Sequence, residues 1–373
     1  MRLASLDAFR GLAIAGMVLV NNPGSWVHVY GPLLHAEWHG FTPTDQIFPA
    51  FLFIVGAAIP FTLARYHERG CLHCTALCAR VLRRVVLLFA LGLLLNASTP
   101  ILDWALNDRP PDFGTLRIMG VLQRISLAYL LAMLIVTTLP PRAQFAAVVG
   151  ILLGYWGALE LIPVPGHGPG LLSAEASLAT YVDRVILSPE HMYQGQFDPE
   201  GLLSTLPAAT SVMFGYAAGV RLRRSGPSSR LTVELIGAGL LCAVLGALWG
   251  QVFPINKQLW TSSYVVFTAG WSLVLLGILY EIVEIRGWSR LGWPLAVMGV
   301  NAITLFFASG LFARVLYLTR VDANTTLHQW IYRNLFVAWA GQIDGSLAFA
   351  ATMLLFWWLV LLVLYRRGWM LRL

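Results

Sequence analysis

Long apolar runs separated by short polar segments fill almost the whole sequence. A membrane span needs about 20 predominantly apolar residues, because roughly 30 Å of hydrocarbon is crossed at about 1.5 Å per residue. Ten runs meet this length, and the predicted spans are residues 4–20, 47–66, 80–96, 115–139, 143–161, 202–222, 231–251, 260–282, 293–318 and 345–365. A further apolar segment, residues 327–341, is short and carries Arg333. The pattern predicts an all-α polytopic membrane helix bundle of about ten transmembrane helices, plus one re-entrant or surface helix on the outer side.

The composition agrees with this fold class. Hydrophobic residues make up 58% of the 373 residues and charged residues 12%, and the mean hydropathy is +0.70. This balance excludes an ordinary soluble globule. No polar segment between the apolar runs is long enough to fold alone, so we predict a single transmembrane domain over residues 1–373.

The formal net charge of +7 predicts membrane orientation rather than nucleic-acid binding. Basic residues fall in short clusters in alternate connections, and the clusters are Arg65, Arg69, Arg80, Arg83 and Arg84; Arg142; Arg221, Arg223, Arg224 and Arg230; Arg286 and Arg290; and Arg366, Arg367 and Arg372. The positive-inside bias places all of them, and both termini, in the cytoplasm. Nucleic acid is therefore not a predicted partner.

The first connection lies on the opposite side and contains no Lys or Arg. It gathers polar side chains at residues Asn21, Asn22, His28, His35, Glu37, His39, Thr42 and Asp45. An imidazole titrates near neutral pH, so one of these histidines is suited to general acid–base or nucleophilic work. A nearby carboxylate such as Asp45 would orient the ring. The loop is therefore the predicted site of chemistry.

A metal site is not predicted. His35 and His39 are four residues apart with Glu37 between them, which differs from H-E-x-x-H. Cys71, Cys74 and Cys78 have a spacing that resembles part of a zinc site, but structural zinc usually takes four committed ligands. Because the charge pattern places these cysteines in the reducing cytoplasm, we expect free thiols.

Three further residues are candidates for binding. Arg124 lies about nine residues into the fourth predicted span, so we expect it to face a polar interior or a bound anion, or to pair with a carboxylate of another helix. Lys257 and Trp260 lie at the outer end of the eighth predicted span among Asn, Thr and Ser residues. They suit a sugar or carboxylate site, and membrane-interface anchoring is the simpler alternative.

Several stretches together resemble the lysosomal heparan-α-glucosaminide N-acetyltransferase family and its bacterial relatives. They are SLDAFRG at 5–11, VNNPGSW at 20–26, HAEWHGFTPTDQIFPAFLFIVG at 35–56, RIMGVLQRI at 117–125, FDPEGLLSTLPA at 197–208 and FPINKQLWTSSYV at 253–265. The resemblance covers most of the chain, and its specificity comes from the combination of stretches. The first span would correspond to the second span of the lysosomal members, which leaves the histidine loop outside the cytoplasm.

The resemblance implies an acetyl-CoA-dependent N-acetyltransferase that acetylates the amine of a terminal glucosamine across a membrane. The family's active histidine corresponds to His35, and its companions to Asn21 and Asp45. Acetyl-CoA would be the co-substrate, and its phosphates would pair with the cytoplasmic clusters Arg80, Arg83 and Arg84 or Arg221, Arg223 and Arg224, with Arg124 as a further anion ligand. The expected acceptor contacts are Glu37, His39, Lys257 and Trp260.

The expected setting is a bacterial inner membrane, with an amino sugar other than heparan as the acceptor. The alternative function is a permease for N-acetylglucosamine or a related amino sugar, because ten spans with polar residues inside would also suit transport. A homo-oligomer and a monomer are both compatible with the sequence, since the Gly-rich stretch at residues 237–239 permits close helix packing in either.

Overall fold

The computed structural model describes residues 3–68 and 74–370. Within them the secondary structure is helical, with two isolated bridges in place of any strand ladder. The α-helices are α1 Ala4–Asn21, α2 Ile47–His67, α3 Thr75–Asn107, α4 Val121–Thr138, α5 Pro141–Leu161, α6 Leu178–Leu187, α7 Thr205–Arg224, α8 Ser229–Trp249, α9 Ser262–Tyr280, α10 Ser289–Val300, α11 Ala302–Leu318, α12 Leu327–Ile331, α13 Ala338–Ala340 and α14 Gln342–Arg366.

Length and composition confirm a membrane helix bundle. Among the described residues, eight helices are long and apolar enough to cross a bilayer, and the bent pair α10–α11 makes a ninth if it counts as one span. This pair turns by 66° at Asn301, where the sequence predicted one continuous span. The remaining predicted span is α7, which is helical but too polar to pass the same test. Its polar side chains, such as Thr210 and Ser211, are buried against neighbouring helices.

Helix α7 packs on α2 at the centre of the bundle through glycines. A Cβ atom added at Gly56 of α2 would lie 1.8 Å from the carbonyl oxygen of Val212, and one at Gly215 of α7 would lie 1.8 Å from that of Phe53. Side chains larger than hydrogen are excluded at both positions. Small residues of this kind let transmembrane helices approach closely.

The fourth span begins later than the sequence predicted, and this changes the place of Arg124. Helix α4 starts at Val121 rather than at residue 115, so Arg124 lies in its first turn instead of nine residues deep. The preceding backbone is held outside the helix because the Asn96 side chain of α3 donates hydrogen bonds to the carbonyl oxygens of Arg117 and Met119, at 2.8 Å and 3.3 Å.

The apolar segment at 327–341 is helical but does not form a span. It consists of α12, a π-helical stretch Tyr332–Val337 and α13, and it ends at Gly341, whose φ of +76° breaks the helix before α14. The prediction of a short, non-spanning helix is confirmed. Its His328 faces inward, where Nε2 lies 3.1 Å from the carbonyl oxygen of Pro23.

The prediction of free cysteines is only partly correct. Cys78 is free and exposed near the start of α3, whereas Cys74 is disulfide-bonded. Cys71 lies outside the described residues.

Candidate active site

The histidine loop between α1 and α2 is shaped by a helix cap. Pro43–Gln46 form a single 3₁₀ turn that leads directly into α2. Thr42 and Asp45 make a capping box, in which the Asp45 Oδ2 atom accepts from the Thr42 backbone N–H at 3.0 Å and from the Ala36 N–H at 3.1 Å. The cap therefore fixes Asp45 and draws the backbone next to His35 toward it.

His35 and Asp45 form a hydrogen-bonded pair. Nδ1 of His35 lies 2.7 Å from Oδ1 of Asp45, whose side chain is only 1% exposed, while the His35 side chain is 39% exposed. Because an ionised carboxylate only accepts hydrogen bonds, Nδ1 carries the proton and Nε2 presents its lone pair. This arrangement suits a histidine that takes up a proton or attacks a carbonyl carbon.

Lys257 lies against the same imidazole. Its Nζ atom is 3.0 Å from Nε2 and 3.1 Å from Nδ1 of His35, and 3.9 Å from Oδ1 of Asp45. The lysine side chain is 15% exposed. Burial lowers the pKa of the Lys257 amine, while the carboxylates of Glu200 and Asp45 act in the opposite direction. Burial outweighs these carboxylates, so the pKa of Lys257 lies below the usual lysine value, and its amine is a hydrogen-bond donor beside the His35 ring.

A second loop, residues 253–261, docks on the histidine loop and carries Lys257. The Gly40 N–H donates to the carbonyl oxygen of Ile255 at 2.8 Å, and Nδ2 of Asn256 lies 3.2 Å from Nδ1 of His39. From α9, the Tyr264 hydroxyl donates to the backbone carbonyl of Asp45 at 2.7 Å. The loop before α9 and α9 itself therefore complete the site.

The other predicted residues of the histidine loop lie around this pair. Asn21 is exposed at the end of α1 and makes no hydrogen bond to His35 or Asp45 within the described residues, so its catalytic role stays a prediction. Glu37 is exposed and faces solvent. His39 is also exposed, although partial burial lowers its pKa. Glu37 and His39 thus remain accessible to an acceptor.

Trp260 lies in the core and supports the second loop. It is 1% exposed and has a φ of +53°, and its ring packs edge-on against Phe48 and Tyr264 at centroid distances of 5.0 Å and 5.2 Å. The guanidinium of Arg124 lies 4.9 Å from its ring centroid. The indole therefore faces the protein interior, away from an open acceptor site.

Arg124 is fully buried at the base of the site. Its Nη2 atom donates to the Gly201 carbonyl oxygen at 3.1 Å and to the Ser204 hydroxyl. Its Nε and Nη1 atoms are buried and make no hydrogen bond in the described part of the chain. These two donors could bind an anion, so the anion-binding role of Arg124 stays a prediction.

An ion cluster beside the site was not predicted from the sequence. Arg117 lies 2.6 Å from an oxygen of Asp198 and 2.5 Å from an oxygen of Glu200. Burial raises the pKa of the Glu200 carboxyl, but the cations around it, first Arg117 and then Arg124 and Lys257, outweigh burial and hold that pKa below its usual value. Both sequence stretches, RIMGVLQRI and FDPEGLLSTLPA, were noted for their resemblance alone. The sequence signal for this cluster was the placement of Arg117 before one apolar run and of Asp198 and Glu200 before another.

The arginine clusters predicted to bind phosphates lie at the far ends of helices that begin near the site: Arg224 ends α7, and Arg80 packs on Tyr66 near the end of α2. Ser204, which accepts a hydrogen bond from Arg124, immediately precedes α7, and Arg224 ends that 20-residue helix. Ser204 and Arg224 are therefore about 30 Å apart at roughly 1.5 Å per residue. Arg221 pairs with Glu234 at 2.5 Å. In the other cluster, Arg80 and Arg83 are exposed and the Arg84 guanidinium lies 4.6 Å from the ring centroid of Tyr129. The phosphate-binding roles stay predictions.

No group of three His, Cys, Asp or Glu side chains in the described residues is arranged to hold a metal ion.

Comparisons with known proteins agree with the resemblance drawn from the sequence. The family model described as heparan-alpha-glucosaminide N-acetyltransferase, catalytic, matches residues 2–252, which include His35, Asp45 and Glu200. Heparan-alpha-glucosaminide N-acetyltransferase of Homo sapiens is 29% identical over 365 residues, covering 83% of this chain and 53% of the relative. The Mus musculus protein of the same name is 28% identical over 360 residues, covering 82% and 53%. The chain thus spans about half the length of these relatives.

Proposed function

Because the chain belongs to the heparan-α-glucosaminide N-acetyltransferase catalytic family, we propose that it transfers an acetyl group from acetyl-CoA to the amine of a glucosamine-type sugar. The observation that carries the proposal is the His35–Asp45 pair, held at 2.7 Å with Lys257 beside the ring. A reactive imidazole oriented by a buried carboxylate is the arrangement that acyl transfer needs.

His35 has two routes to the product. In direct transfer, Nε2 takes a proton from the sugar amine as its nitrogen bonds the acetyl carbon, the C–S bond breaks, and the thiolate of CoA leaves and takes up that proton. In the covalent route, Nε2 itself bonds the acetyl carbon and expels the thiolate. The amine then bonds that carbon, the bond from the carbon to Nε2 breaks, and the amine's proton passes through Nε2 to the thiolate. Asp45 orients the ring and stabilises its positive charge in both routes.

Lys257 would stabilise the oxygen of the reacting carbonyl. Negative charge develops on that oxygen when the acetyl carbon is attacked, and fixed donors near it lower the barrier. Nζ lies 3.0 Å from Nε2 of His35, and the lysine side chain is largely shielded from solvent. Lys257 therefore suits the role of donor to this oxygen, and Asn21 stays a predicted companion of His35.

The proposal places donor and acceptor on opposite membrane sides. The CoA phosphates would bind the arginine clusters at the far end of the helices, and the amino sugar would approach His35 past Glu37 and His39. The charge pattern favours a cytoplasmic location for the arginines and both termini, in a bacterial inner membrane, with residues 1–373 acting as one domain. The full activity and the acceptor are part of this proposal, because the chain spans about half of its curated relatives.

The permease alternative has less support. The matched family and both relatives are named as N-acetyltransferases, and the titratable groups of the site gather at one end of the bundle rather than along a path through it.

The test uses purified protein in proteoliposomes, with acetyl-CoA on one side and a panel of amino sugars on the other. We expect acetylated sugar to form with wild type and to be lost in His35→Ala. Incubation with labelled acetyl-CoA and no acceptor separates the routes, because an acid-labile label that requires His35 marks the covalent one. Uptake of labelled N-acetylglucosamine that survives His35→Ala, without acetyl transfer, would exclude the enzyme in favour of the permease.

A further inference from the structure

A large apolar groove lies on the side of the bundle, away from the candidate active site. It has a volume of about 640 Å³ and runs between α5 and α8, with residues of α7 and α9 as its floor. Its walls include Phe145 and Leu153, which are 72% and 50% exposed, and Leu245 of α8. His35, Asp45 and Lys257 do not line it. Its volume falls in the range of roughly 300–1,000 Å³ that small-molecule sites occupy.

One end of the groove carries a positive charge. Arg224 lines the groove at the end of α7 and makes no ion pair or hydrogen bond among the described residues. The neighbouring Arg221 is held by Glu234 at 2.5 Å, and Arg223 is exposed outside the groove. Of the three arginines at this helix end, Arg224 is thus the one that faces the apolar groove.

The length of the groove matches one leaflet of a bilayer. Met213 and Arg224 both line it and are 11 positions apart on α7, which is roughly 17 Å at about 1.5 Å per residue. That distance is about half of the roughly 30 Å hydrocarbon thickness. A chain whose head rests at Arg224 would therefore reach the middle of the membrane inside the groove.

We infer that this groove is a binding site for an anionic phospholipid, whose headgroup phosphate pairs with Arg224 and whose acyl chain lies along α5 and α7. The apolar walls match the acyl chain, and the single cation at the membrane-surface end matches the phosphate. Basic pockets between transmembrane helices are recognised sites for acidic lipid headgroups. The lipid site shares Arg224 with the arginine cluster proposed above for the CoA phosphates, so the experiment measures lipid retention and acetyl-CoA affinity separately.

The experiment measures phosphatidylglycerol bound to the full chain in nanodiscs of phosphatidylcholine with a minor fraction of phosphatidylglycerol, by lipid mass spectrometry after mild detergent extraction. Wild type is expected to retain phosphatidylglycerol in excess of its bulk fraction. Arg224→Gln should retain roughly fivefold less, the factor typical of one arginine near an anionic surface. Arg223→Gln is the matched control at the same helix end and should behave as wild type.

A second variant tests the apolar part of the site. Ala217→Phe places a large ring on the exposed groove floor and should reduce retention while leaving Arg224 in place. Equal retention by wild type and Arg224→Gln, or equal losses in Arg224→Gln and Arg223→Gln, would overturn the inference. A large loss of acetyl-CoA affinity in Arg224→Gln, with phosphatidylglycerol retention unchanged, would instead assign the groove end to the co-substrate.

Discussion

The Nζ atom of Lys257 lies 3.0 Å from Nε2 of His35, although the two residues are 222 positions apart in the sequence. The contact joins the histidine loop, which precedes α2, to the loop that precedes α9. It places an amine donor at Nε2, so the proposed acetyl transfer would depend on the docking of these two loops.

Replacing Lys257 by Met should lower kcat by about 10²–10³-fold, the usual effect of removing one donor from a developing oxyanion. The binding constant for acetyl-CoA should change little, because the interaction forms mainly in the transition state. Steady-state acetyl transfer and a separate binding measurement distinguish the two. Gln258→Met is the neighbouring control, since Gln258 makes no hydrogen bond within the described residues; wild-type kcat in Lys257→Met would remove the lysine from the mechanism.

Asp45→Asn should reduce acetyl transfer by about 10²–10⁴-fold, because an amide no longer holds His35 in the tautomer that presents Nε2. The fold should persist, since an asparagine oxygen can still accept from the Thr42 and Ala36 N–H groups. Asp45→Ala removes these bonds as well and should also lower the thermal midpoint. Full activity in Asp45→Asn would contradict the assigned role.

Arg117→Met should destabilise the protein by about 3–5 kcal/mol, because it leaves two buried carboxylates, Asp198 and Glu200, without the guanidinium that pairs with both. Thermal unfolding in one detergent measures the effect. Arg230→Met is the matched control, as it breaks an exposed pair with Glu234, and such pairs contribute at most about 1 kcal/mol. Similar midpoints for the two variants would show that the Arg117 cluster is not a structural element.

Stability should fall as pH rises through the titration of Asp183 of α6. Burial raises the pKa of this carboxyl from 3.8 to about 7, although the Leu202 N–H donates to it at 2.8 Å. A folded-state pKa above the unfolded value favours folding below pH 4, and this contribution is lost between about pH 4 and 7. Asp183→Asn keeps the acceptor without the charge, so its midpoint should lose this dependence and exceed that of wild type at pH 8. If the thermal midpoints of wild type and Asp183→Asn changed in parallel across this pH range, the titration of Asp183 would not be the cause.

Gly215→Ala should disrupt the α2–α7 contact, because its Cβ would meet the Phe53 carbonyl oxygen at 1.8 Å. We expect a lower thermal midpoint and lower yield of folded protein. Gly154→Ala in α5 is the control, since a Cβ there meets no atom within 4 Å. An unchanged midpoint in Gly215→Ala would mean that the two helices can separate without loss.

Local patterns were sufficient for the membrane class and most of the spans, and they pointed to the histidine loop, while the choice of His35 within it came from the family resemblance. Apolar runs report burial in lipid directly, and His35 and Asp45 are only ten positions apart within one loop, so their pairing needs no distant contact. The same patterns misplaced the start of α4, because the run before Val121 is apolar while its backbone is held outside the helix by Asn96.

The sequence by itself therefore determined that the chain is a helical membrane protein, and it singled out the histidine loop as a candidate site. Tertiary structure decided that Lys257 lies at the imidazole, that Arg117 bridges Asp198 and Glu200, and that the polar α7 packs against α2, α4, α5 and α9. These contacts join residues far apart in the chain. Their formation depends on how whole helices pack, which no local run of residues encodes.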